Sequence, residues 1–325
     1  MFTKLTELYV KEDDYENTMT SVVEPFLAGL REDGYFVSFD GNKIHYEQYL
    51  QPDAQGTVVI VHGFTESAEK FHEMSYNFLK MGLNVFAIDN RGHGRSYRRN
   101  PNDLQTVTVG QFEDYVEDLH CLVTRVARPS APDKPIFLYA HSMGGAIAVQ
   151  YLQTHPGIFD KAVLSSPMIV PQMPMPAAAA KAITNMFIAL GQGDKMVFLF
   201  KGFNPDSTYE TSHDTSKARF DYYHKKRIAD PYLQTSSASY RWVRQAVKVS
   251  ELNLVPERCK KIDCPVLLFQ PEEDTSVISE KENEFIALVP DGRLVQLPNC
   301  RHEIYASVDG TVLMYLNEIG EFLLG

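Results

Sequence analysis

The sequence comprises 325 residues, of which 44% are hydrophobic and 22% are charged. This balance is typical of globular proteins and excludes disordered, collagen-like and coiled-coil chains, and the chain is long enough to bury a full core without disulfides or structural metals. With 42 acidic and 31 basic residues, the formal net charge is −11. An acidic surface argues against a nucleic-acid partner, which would require a basic face.

The cysteines and the uncharged segments indicate the compartment. The four cysteines show no C-x-x-C pair and no zinc-type spacing with histidine, so we expect free thiols in a reducing compartment and no metal site. The first residues lack the apolar core of a signal peptide. The longest uncharged run, 162–180, contains four prolines, which an ordinary membrane-spanning helix would not tolerate. We therefore expect a soluble, cytoplasmic protein.

The first sixty residues predict a helix, a hairpin and a buried strand. Residues 13–32 carry apolar side chains at helical spacing. Residues 35–39 and 44–49 alternate apolar and polar side chains around a turn signal at 40–42, which predicts a β-hairpin. Residues 58–61 form an uninterrupted valine and isoleucine run, typical of a strand buried on both faces of a parallel sheet.

From this strand onward, predicted strands and helices alternate. The first series consists of helix 68–81, strand 85–88, helix 110–128, strand 136–139, helix 144–154 and strand 162–164. The second series consists of strand 265–269, helix 280–288, strand 293–297 and helix 310–323. Such alternation predicts an α/β fold with a doubly wound, mostly parallel sheet.

The alternation stops between residues 167 and 255, a stretch rich in proline, methionine, alanine and tyrosine that predicts helices and loops. The α/β pattern then resumes unchanged, which fits an insertion better than two consecutive domains. We predict that residues 1–166 form the first part of an α/β core, residues 167–255 a helical cap insertion, and residues 256–325 the second part of the core.

A motif around Ser142 indicates a nucleophilic serine. Between a predicted strand and a predicted helix, residues 139–145 read Y-A-H-S-M-G-G. A serine on such a sharp turn needs small residues two positions before and after it, where Ala140 and Gly144 lie, and the N–H of Met143 can donate to an oxyanion. The motif resembles the G-x-S-x-G nucleophile elbow of the α/β-hydrolases, with alanine in place of the first glycine. A helix-capping turn is the structural alternative.

This resemblance implies a role for the turn His62-Gly63-Phe64, which follows the strand at 58–61. In α/β-hydrolases the N–H after the glycine of this turn is the second oxyanion donor, which implies Phe64 here. We interpret His62 as a structural residue that shapes the turn. A further loop, 89–96, reads D-N-R-G-H-G-R-S, and its glycines match neither a Walker A nor a Rossmann fingerprint, so we interpret it as structural.

A serine nucleophile needs a base, and the base needs an orienting acid. Acidic candidates follow the strand 265–269, and His302 follows the last predicted strand, at the sheet edge where ligands bind in open α/β folds. The α/β-hydrolase order of serine, acid and histidine implies His302 as the base, whereas His213 and His224 precede the acid. Among the acidic residues Glu272, Glu273 and Asp274, the family pattern favours Asp274, with the two glutamates as competitors.

Taken together, these motifs resemble the lysophospholipase and monoacylglycerol lipase group, and most of all the bacterial lysophospholipase L2 type. The resemblance covers about residues 33–323. It rests on the segments 62–64, 91–94, 140–145, 270–274 and 301–304 and, within the predicted cap, 240–243. The core motifs are specific for fold and chemistry, whereas the predicted cap, which would select the substrate, is divergent.

The predicted cap is apolar near its start. The stretch 168–190 is uncharged except for Lys181 and rich in methionine and alanine, and methionine side chains adapt to irregular ligands. We expect this stretch to bind an acyl chain and to make transient contact with a membrane surface. Packing of the cap against the core is the alternative, for this stretch and for the aromatic residues Tyr222, Tyr223, Tyr232, Tyr240 and Trp242.

We therefore predict a serine hydrolase that cleaves the carboxylic ester of a monoacyl lipid through an acyl-enzyme, with no cofactor and no metal. Ser142, Asp274 and His302 are the predicted catalytic residues, and Phe64 and Met143 the predicted oxyanion donors. One alternative is a serine aminopeptidase of the same fold, whose substrate amine would require carboxylates near the site, with candidates Asp194, Glu210, Asp214 and Asp221. Another is a ligand-binding protein without catalysis.

Overall fold

The computed structural model describes residues 2–325 and contains an eight-stranded sheet with helices against both faces. The strands are β1 (Arg31–Val37), β2 (Lys43–Tyr49), β3 (Gly56–Val61), β4 (Leu83–Ile88), β5 (Thr106–Val107), β6 (Ile136–His141), β7 (Lys161–Ser165), β8 (Ser237–Ala238), β9 (Val266–Pro271) and β10 (Gly292–Leu297). Their order in the large sheet is β1-β2-β4-β3-β6-β7-β9-β10. Only the β1–β2 and β2–β4 pairs of this sheet are antiparallel, which confirms the predicted mostly parallel α/β fold.

Twelve α-helices occur within the described residues. They are α1 (Tyr15–Thr18), α2 (Glu24–Leu30), α3 (His72–Lys80), α4 (Glu113–Leu122), α5 (Arg128–Ser130), α6 (Met143–Thr154), α7 (Ala177–Ala189), α8 (Lys217–Ala229), α9 (Tyr240–Asn253), α10 (Pro256–Cys259), α11 (Ser279–Leu288) and α12 (Asp309–Leu324). Short 3-10 turns precede α1, α3 and α12, and π-helical turns join α1 to α2 and α4 to α5. None of the helices in residues 2–325 combines the length and apolar character needed to cross a membrane.

The central strand β3 shows why the valine and isoleucine run lacks alternation. Val59 and Val61 belong to a hydrophobic cluster that includes residues of α4 and α6. Val58 and Ile60 belong to a second cluster, which includes residues of α3 and α12. Because helices cover both faces of the sheet, each position of this strand faces an apolar core.

The predicted helix 13–32 is wrong at its carboxyl end. The last helix of this region ends at Leu30, and Arg31 already pairs with Tyr49 in the β1–β2 ladder. The guanidinium of Arg31 lies 2.8 Å from the buried carboxylate of Glu47 on β2. The ladder and the ion pair therefore place Arg31 and Glu32 in a strand. The sequence pattern could not show this pairing, because it revealed only that both residues are charged.

Residues 167–255, which we call the cap segment, contain α7, α8 and α9 together with the two-residue strand β8. Sequence patterns predicted helices and loops there, and the short strand was missed because two residues give no periodicity. β8 pairs in parallel with β5, so a backbone ladder joins the cap segment to the loop after β4. A second tie is Arg219 of α8, which is buried and lies 2.9 Å from the carboxylate of Glu73 on α3.

Candidate active site

Ser142 occupies the turn between β6 and α6 in a strained backbone conformation. Its φ of 52° and ψ of −117° lie in a region that L-residues seldom adopt. The turn is possible because Gly144 has no side chain: a Cβ there would lie 2.7 Å from the carbonyl oxygen of His62 and closer still to that of Val61. The close approach of α6 to β3 therefore requires the glycine that the motif predicted.

His302 connects Ser142 to Asp274 through both ring nitrogens. Its Nε2 lies 2.8 Å from the Ser142 Oγ, and its Nδ1 lies 2.8 Å from the Asp274 Oδ2. All three residues follow the carboxyl ends of strands, β6, β9 and β10, which the parallel sheet brings to one edge. The structure thus brings together the predicted serine, acid and base, which are distant in sequence.

Asp274 is held as a carboxylate by its surroundings. Burial favours its protonation, but hydrogen bonding to His302, the charge of that ring and the N–H groups of Ser276 and Val277 together hold the pKa of Asp274 below its ordinary value. These N–H groups donate to Oδ1 at 2.7 and 3.0 Å, leaving Oδ2 for the imidazole. An ionised Asp274 accepts a hydrogen bond from the Nδ1–H group and leaves Nε2 unprotonated, free to accept the serine proton.

The other acidic and histidine residues that the sequence offered as acid or base do not take part in this arrangement. Glu272 and Glu273 are exposed, and Glu272 accepts a hydrogen bond from the N–H of Asn299 at 2.9 Å. His62 is buried and accepts a hydrogen bond at Nε2 from the N–H of Asn90 at 2.9 Å, so it shapes its loop. His213, from the cap segment, lies beside the predicted base, with ring centroids 5.9 Å apart, and forms no hydrogen bond with the serine among residues 2–325.

The two predicted oxyanion donors border Ser142 from different sides. Met143 is the first residue of α6, where helix N–H groups lack an intrahelical acceptor. Phe64 follows Gly63, at which a Cβ would lie 3.0 Å from the Ser142 Cβ. The N–H of Phe64 donates to no acceptor within residues 2–325. The Phe64 ring packs against Trp242 of α9, with centroids 4.2 Å apart, so the cap segment contacts this loop.

A buried carboxylate that the sequence analysis missed fixes the same loop. Glu66 accepts hydrogen bonds from the N–H of Gly63 and the hydroxyl of Tyr305, each at 2.5 Å. Its carboxylate lies 3.2 Å from Lys70, which is also 2.6 Å from Glu303, the residue after His302. A carboxylate three residues after a glycine turn is a local signal for such a side-chain to backbone bond, whereas the bond to Tyr305 could not be predicted.

An apolar cavity of about 340 Å³ opens onto Ser142 and His302. Most of its wall is aliphatic, aromatic or thioether. These wall residues include Met168, Met173, Met175, Ile183, Val197, Phe198, Leu199, Phe200, Trp242, Val243 and Val277. Residues between 168 and 184 of the predicted acyl-binding stretch therefore contribute to the cavity wall, whereas Met186 and Leu190 at its end are exposed.

The aromatic residues of the cap segment divide between lining and packing. Tyr240 and Trp242 line the apolar cavity, and Tyr223 lines a second, polar cavity. Tyr222 donates a hydrogen bond to Glu24, and Tyr232 is exposed. From the sequence, these aromatic residues could either line a pocket or pack the cap segment, and the structure contains examples of both.

The carboxylates that a peptidase would use lie away from the apolar cavity wall. Asp194 lies within 3.0 Å of two arginine side chains, and Asp221 lies 2.5 Å from a lysine. Glu210 is exposed. Asp214 is buried and lines the polar cavity beside the base. Within residues 2–325, no group of three histidine, cysteine or acidic side chains is arranged to hold a metal ion.

The fold and this serine-centred site define an α/β-hydrolase. Residues 52–309 match the family model described as serine aminopeptidase, S33, and the chain belongs to that family. It is 29% identical over 308 residues to lysophospholipase L2 of Escherichia coli, covering 90% of this chain and 87% of the relative. It is also 29% identical over 284 residues to a probable lysophospholipase L2 of Haemophilus influenzae, with coverages of 86% and 88%. These relatives confirm the predicted resemblance.

Solved structures agree with this assignment of the fold. A thermostable carboxyl esterase from Bacillus coagulans superposes with a TM-score of 0.73 at 21% identity, over 90% of this chain and 98% of the esterase. A soluble variant of monoglyceride lipase from Saccharomyces cerevisiae also gives a TM-score of 0.73, at 22% identity, over 91% and 95% of the two chains. The α/β-hydrolase fold predicted from the motifs is thereby confirmed.

Proposed function

We propose that the protein is a serine hydrolase that cleaves the carboxylic ester of a monoacyl lipid. The observation that carries the proposal is the apolar cavity, whose wall includes Ser142 and His302 and whose volume suits an acyl chain. The names of the L2 relatives support an ester of a lysophospholipid, and those of further relatives support a monoacylglycerol.

In the proposed reaction, the Ser142 Oγ attacks the ester carbonyl carbon while His302 Nε2 takes the hydroxyl proton. Asp274 holds the imidazole in the required tautomer and stabilises its cation. The N–H groups of Phe64 and Met143 donate to the oxygen on which negative charge develops, an arrangement that typically contributes several kcal/mol to transition-state stabilisation.

The tetrahedral intermediate then collapses. The alcohol leaves with the proton from His302 Nε2, and the acyl group stays on the Ser142 oxygen. A water molecule, deprotonated by the same nitrogen, attacks the acyl-enzyme, and the fatty acid leaves as the serine regains its proton. The chemistry uses only these side chains and water, so it requires no cofactor.

The test combines a serine variant with an ester series. Ser142→Ala should lower kcat by more than about a thousandfold without unfolding the protein, and a fluorophosphonate probe should label only the unmodified protein. For p-nitrophenyl esters below micelle formation, kcat/KM should rise from acetate towards laurate, because each buried methylene contributes about 0.8 kcal/mol. A kcat/KM that falls steadily from acetate would contradict a lipid substrate and favour a small ester or a peptide.

The cap segment is proposed to act as a lid that meets a lipid surface. Phe198 and Leu199 line the apolar cavity and are also 65% and 52% exposed, so the cavity mouth is bordered by apolar side chains in contact with solvent. Leu190 and Met186 of the α7 region are exposed as well. Exposed apolar side chains in such a group are typical of surfaces that contact lipid.

A cytoplasmic location belongs to the same proposal. All four cysteines are free thiols and buried, which fits a reducing compartment. We also propose that residues 1–166 and 256–325 form the core and that residues 167–255 form a cap. Two observations support this division. The cap elements α7 and α9 pack on each other and border the cavity, and the strands of the large sheet lie outside residues 167–255.

A further inference from the structure

A second cavity, of about 200 Å³, adjoins the apolar one beside the predicted base. The two cavities share the wall residues Thr65, His213 and Glu303. The second cavity is polar, with hydroxyl side chains of the loop 207–212 on one side. An ester whose acyl chain fills the apolar cavity would therefore place its alcohol portion next to a polar chamber.

Lys70, at the inner wall of this chamber, is already paired with carboxylates. Lys70 lies between the carboxylates of Glu66 and Glu303, at 3.2 and 2.6 Å. Burial, followed by the neighbouring Glu303 charge, raises the pKa of Asp214 well above its ordinary range, which favours the uncharged form of this carboxyl. Lys70 carries one positive charge against the two carboxylates, so this cluster is net negative and offers no free positive charge at the inner wall.

Arg227 of α8 supplies a charge without a counterion. Its Nε and Nη2 donate to the carbonyl oxygens of Leu233 and Thr235, both at 3.0 Å, and its guanidinium lies 4.7 Å from the ring centre of Phe203. No carboxylate within residues 2–325 lies within 4.0 Å of it. The hydrogen bonds orient the guanidinium, and the Nη1 group makes no protein hydrogen bond among those residues.

A second unused donor lines the same chamber. The hydroxyl of Tyr223, one turn before Arg227 on α8, is buried and has no hydrogen-bond partner among residues 2–325. A buried hydroxyl without a partner is costly unless a ligand or water completes its bonding. The chamber thus offers one uncompensated cation and one unused hydroxyl donor.

We propose that this chamber binds the phosphate group of the leaving alcohol, with Arg227 as the residue that favours a glycerophosphate ester over a neutral glycerol ester. A guanidinium suits this task because it presents paired donors to phosphate oxygens. This inference rests on the proposed ester hydrolysis and adds to it the class of headgroup. Arg227 would act as a specificity residue, since it lies outside the serine, acid and base arrangement.

The test compares two esters with the same oleoyl chain, lysophosphatidylglycerol and monooleoylglycerol, in mixed micelles of one detergent. Arg227→Gln should lower kcat/KM for the phosphate ester about tenfold or more and leave the glycerol ester within about twofold, because bonds to a charged group are stronger than neutral ones. Arg227→Lys, which keeps the charge, should retain most of the preference. Arg244→Gln is the matched control, since Arg244 is a half-buried cap-segment arginine that hydrogen-bonds Asn185 outside the chamber.

An equal loss on both esters, or no loss on either, would overturn the headgroup assignment. Binding provides an independent measure: glycerol 3-phosphate and inorganic phosphate are titrated calorimetrically into Ser142→Ala protein, with and without Arg227→Gln. Glycerol 3-phosphate binding that is lost with Arg227→Gln supports the headgroup site. Inorganic phosphate binding equally tightly would overturn it in favour of a free-phosphate site. If the unmodified protein cleaves neither ester, the proposed hydrolysis fails, and the titration alone then decides the headgroup site.

Discussion

The carboxylate of Glu66 accepts a hydrogen bond from the backbone N–H of Gly63 at 2.5 Å, and this bond fixes the turn that carries the predicted oxyanion donor Phe64. The second oxygen of Glu66 accepts from Tyr305, which follows His302 by three residues. One buried side chain therefore couples the position of the oxyanion donor to that of the base.

We expect Glu66→Gln to lower kcat about tenfold or more with little change in KM. Loss of a whole oxyanion donor lowers kcat about a hundredfold to a thousandfold. The glutamine side chain would weaken the hydrogen bond to the Gly63 N–H without removing the donor itself, so the expected loss is smaller. Steady-state kinetics on a short p-nitrophenyl ester measures the effect. Glu69→Gln, in the 3-10 turn that begins two residues after Glu66, is the control, because Glu69 pairs with Lys226 instead. An equal effect of both variants would contradict a positioning role for Glu66.

The contact between Glu66 and Tyr305 also shows which features of the site cannot be predicted from sequence. Ser142, Asp274 and His302 could be placed together because each follows a predicted strand, and parallel strands bring their carboxyl ends to one edge. The contact between Glu66 and Tyr305 joins residues 239 positions apart through side-chain packing, for which the sequence has no periodic signal. Arg227 could not be assigned a ligand from sequence either, since its missing counterion is visible only in three dimensions.

The fold was predictable to a similar extent. Strands such as β3 and β6 are buried on both faces, so their apolar runs are unmistakable. The pattern assigned Arg31 and Glu32 to a helix because it does not show that the first strand pairs at the sheet edge. The β5–β8 pair involves two residues on each side and is too short for any pattern.

Asp274→Asn should lower kcat by about a thousandfold or more. The amide would present an N–H group or a neutral oxygen to His302 Nδ1, so the tautomer that frees Nε2 would lose its support. Glu272→Gln and Glu273→Gln serve as controls, because both residues are exposed and neither contacts His302. Should Glu273→Gln be the damaging change, the acid has been assigned to the wrong residue of this loop.

Gly144→Ala should destabilise the protein and abolish activity. A Cβ at this position would overlap the carbonyl oxygens of Val61 and His62, and backbone atoms cannot move away without separating α6 from β3. Gly29→Ala is the opposite control: Gly29 lies in α2 with nothing near its missing side chain, so alanine should stabilise by about 0.5–1 kcal/mol. Thermal unfolding of both variants measures the difference, and an unchanged Tm for Gly144→Ala would contradict the packing argument.

Phe198→Ser and Leu199→Ser together should weaken binding to vesicles while sparing the chemistry. Both side chains are more than half exposed at the cavity mouth, so their replacement removes apolar area that would enter a lipid surface. Co-sedimentation with phosphatidylcholine vesicles should show reduced binding, and kcat for p-nitrophenyl acetate should stay unchanged. Val22→Ser, also exposed but on the amino-terminal helical region, is the control. Vesicle binding that is unaffected by the double change would argue against a membrane-facing lid.

Glu282→Gln should stabilise the protein increasingly as the pH rises from about 4.5 to about 8. Glu282 of α11 is fully buried, its Oε1 has no partner among residues 2–325, and burial raises its pKa to about 8. Between the unfolded value of 4.5 and the folded value of about 8, the native state binds more protons than the unfolded state, so this residue makes stability fall as pH increases. Glutamine carries no proton to lose, so the Tm difference between variant and unmodified protein should grow across that window. Calorimetric unfolding from pH 4 to 9 measures this difference in Tm. Glu284→Gln, at an exposed position of the same helix, is the control and should change Tm by an amount that does not depend on pH. A pH-independent Tm difference for Glu282→Gln would show that this carboxyl ionises normally in the folded protein.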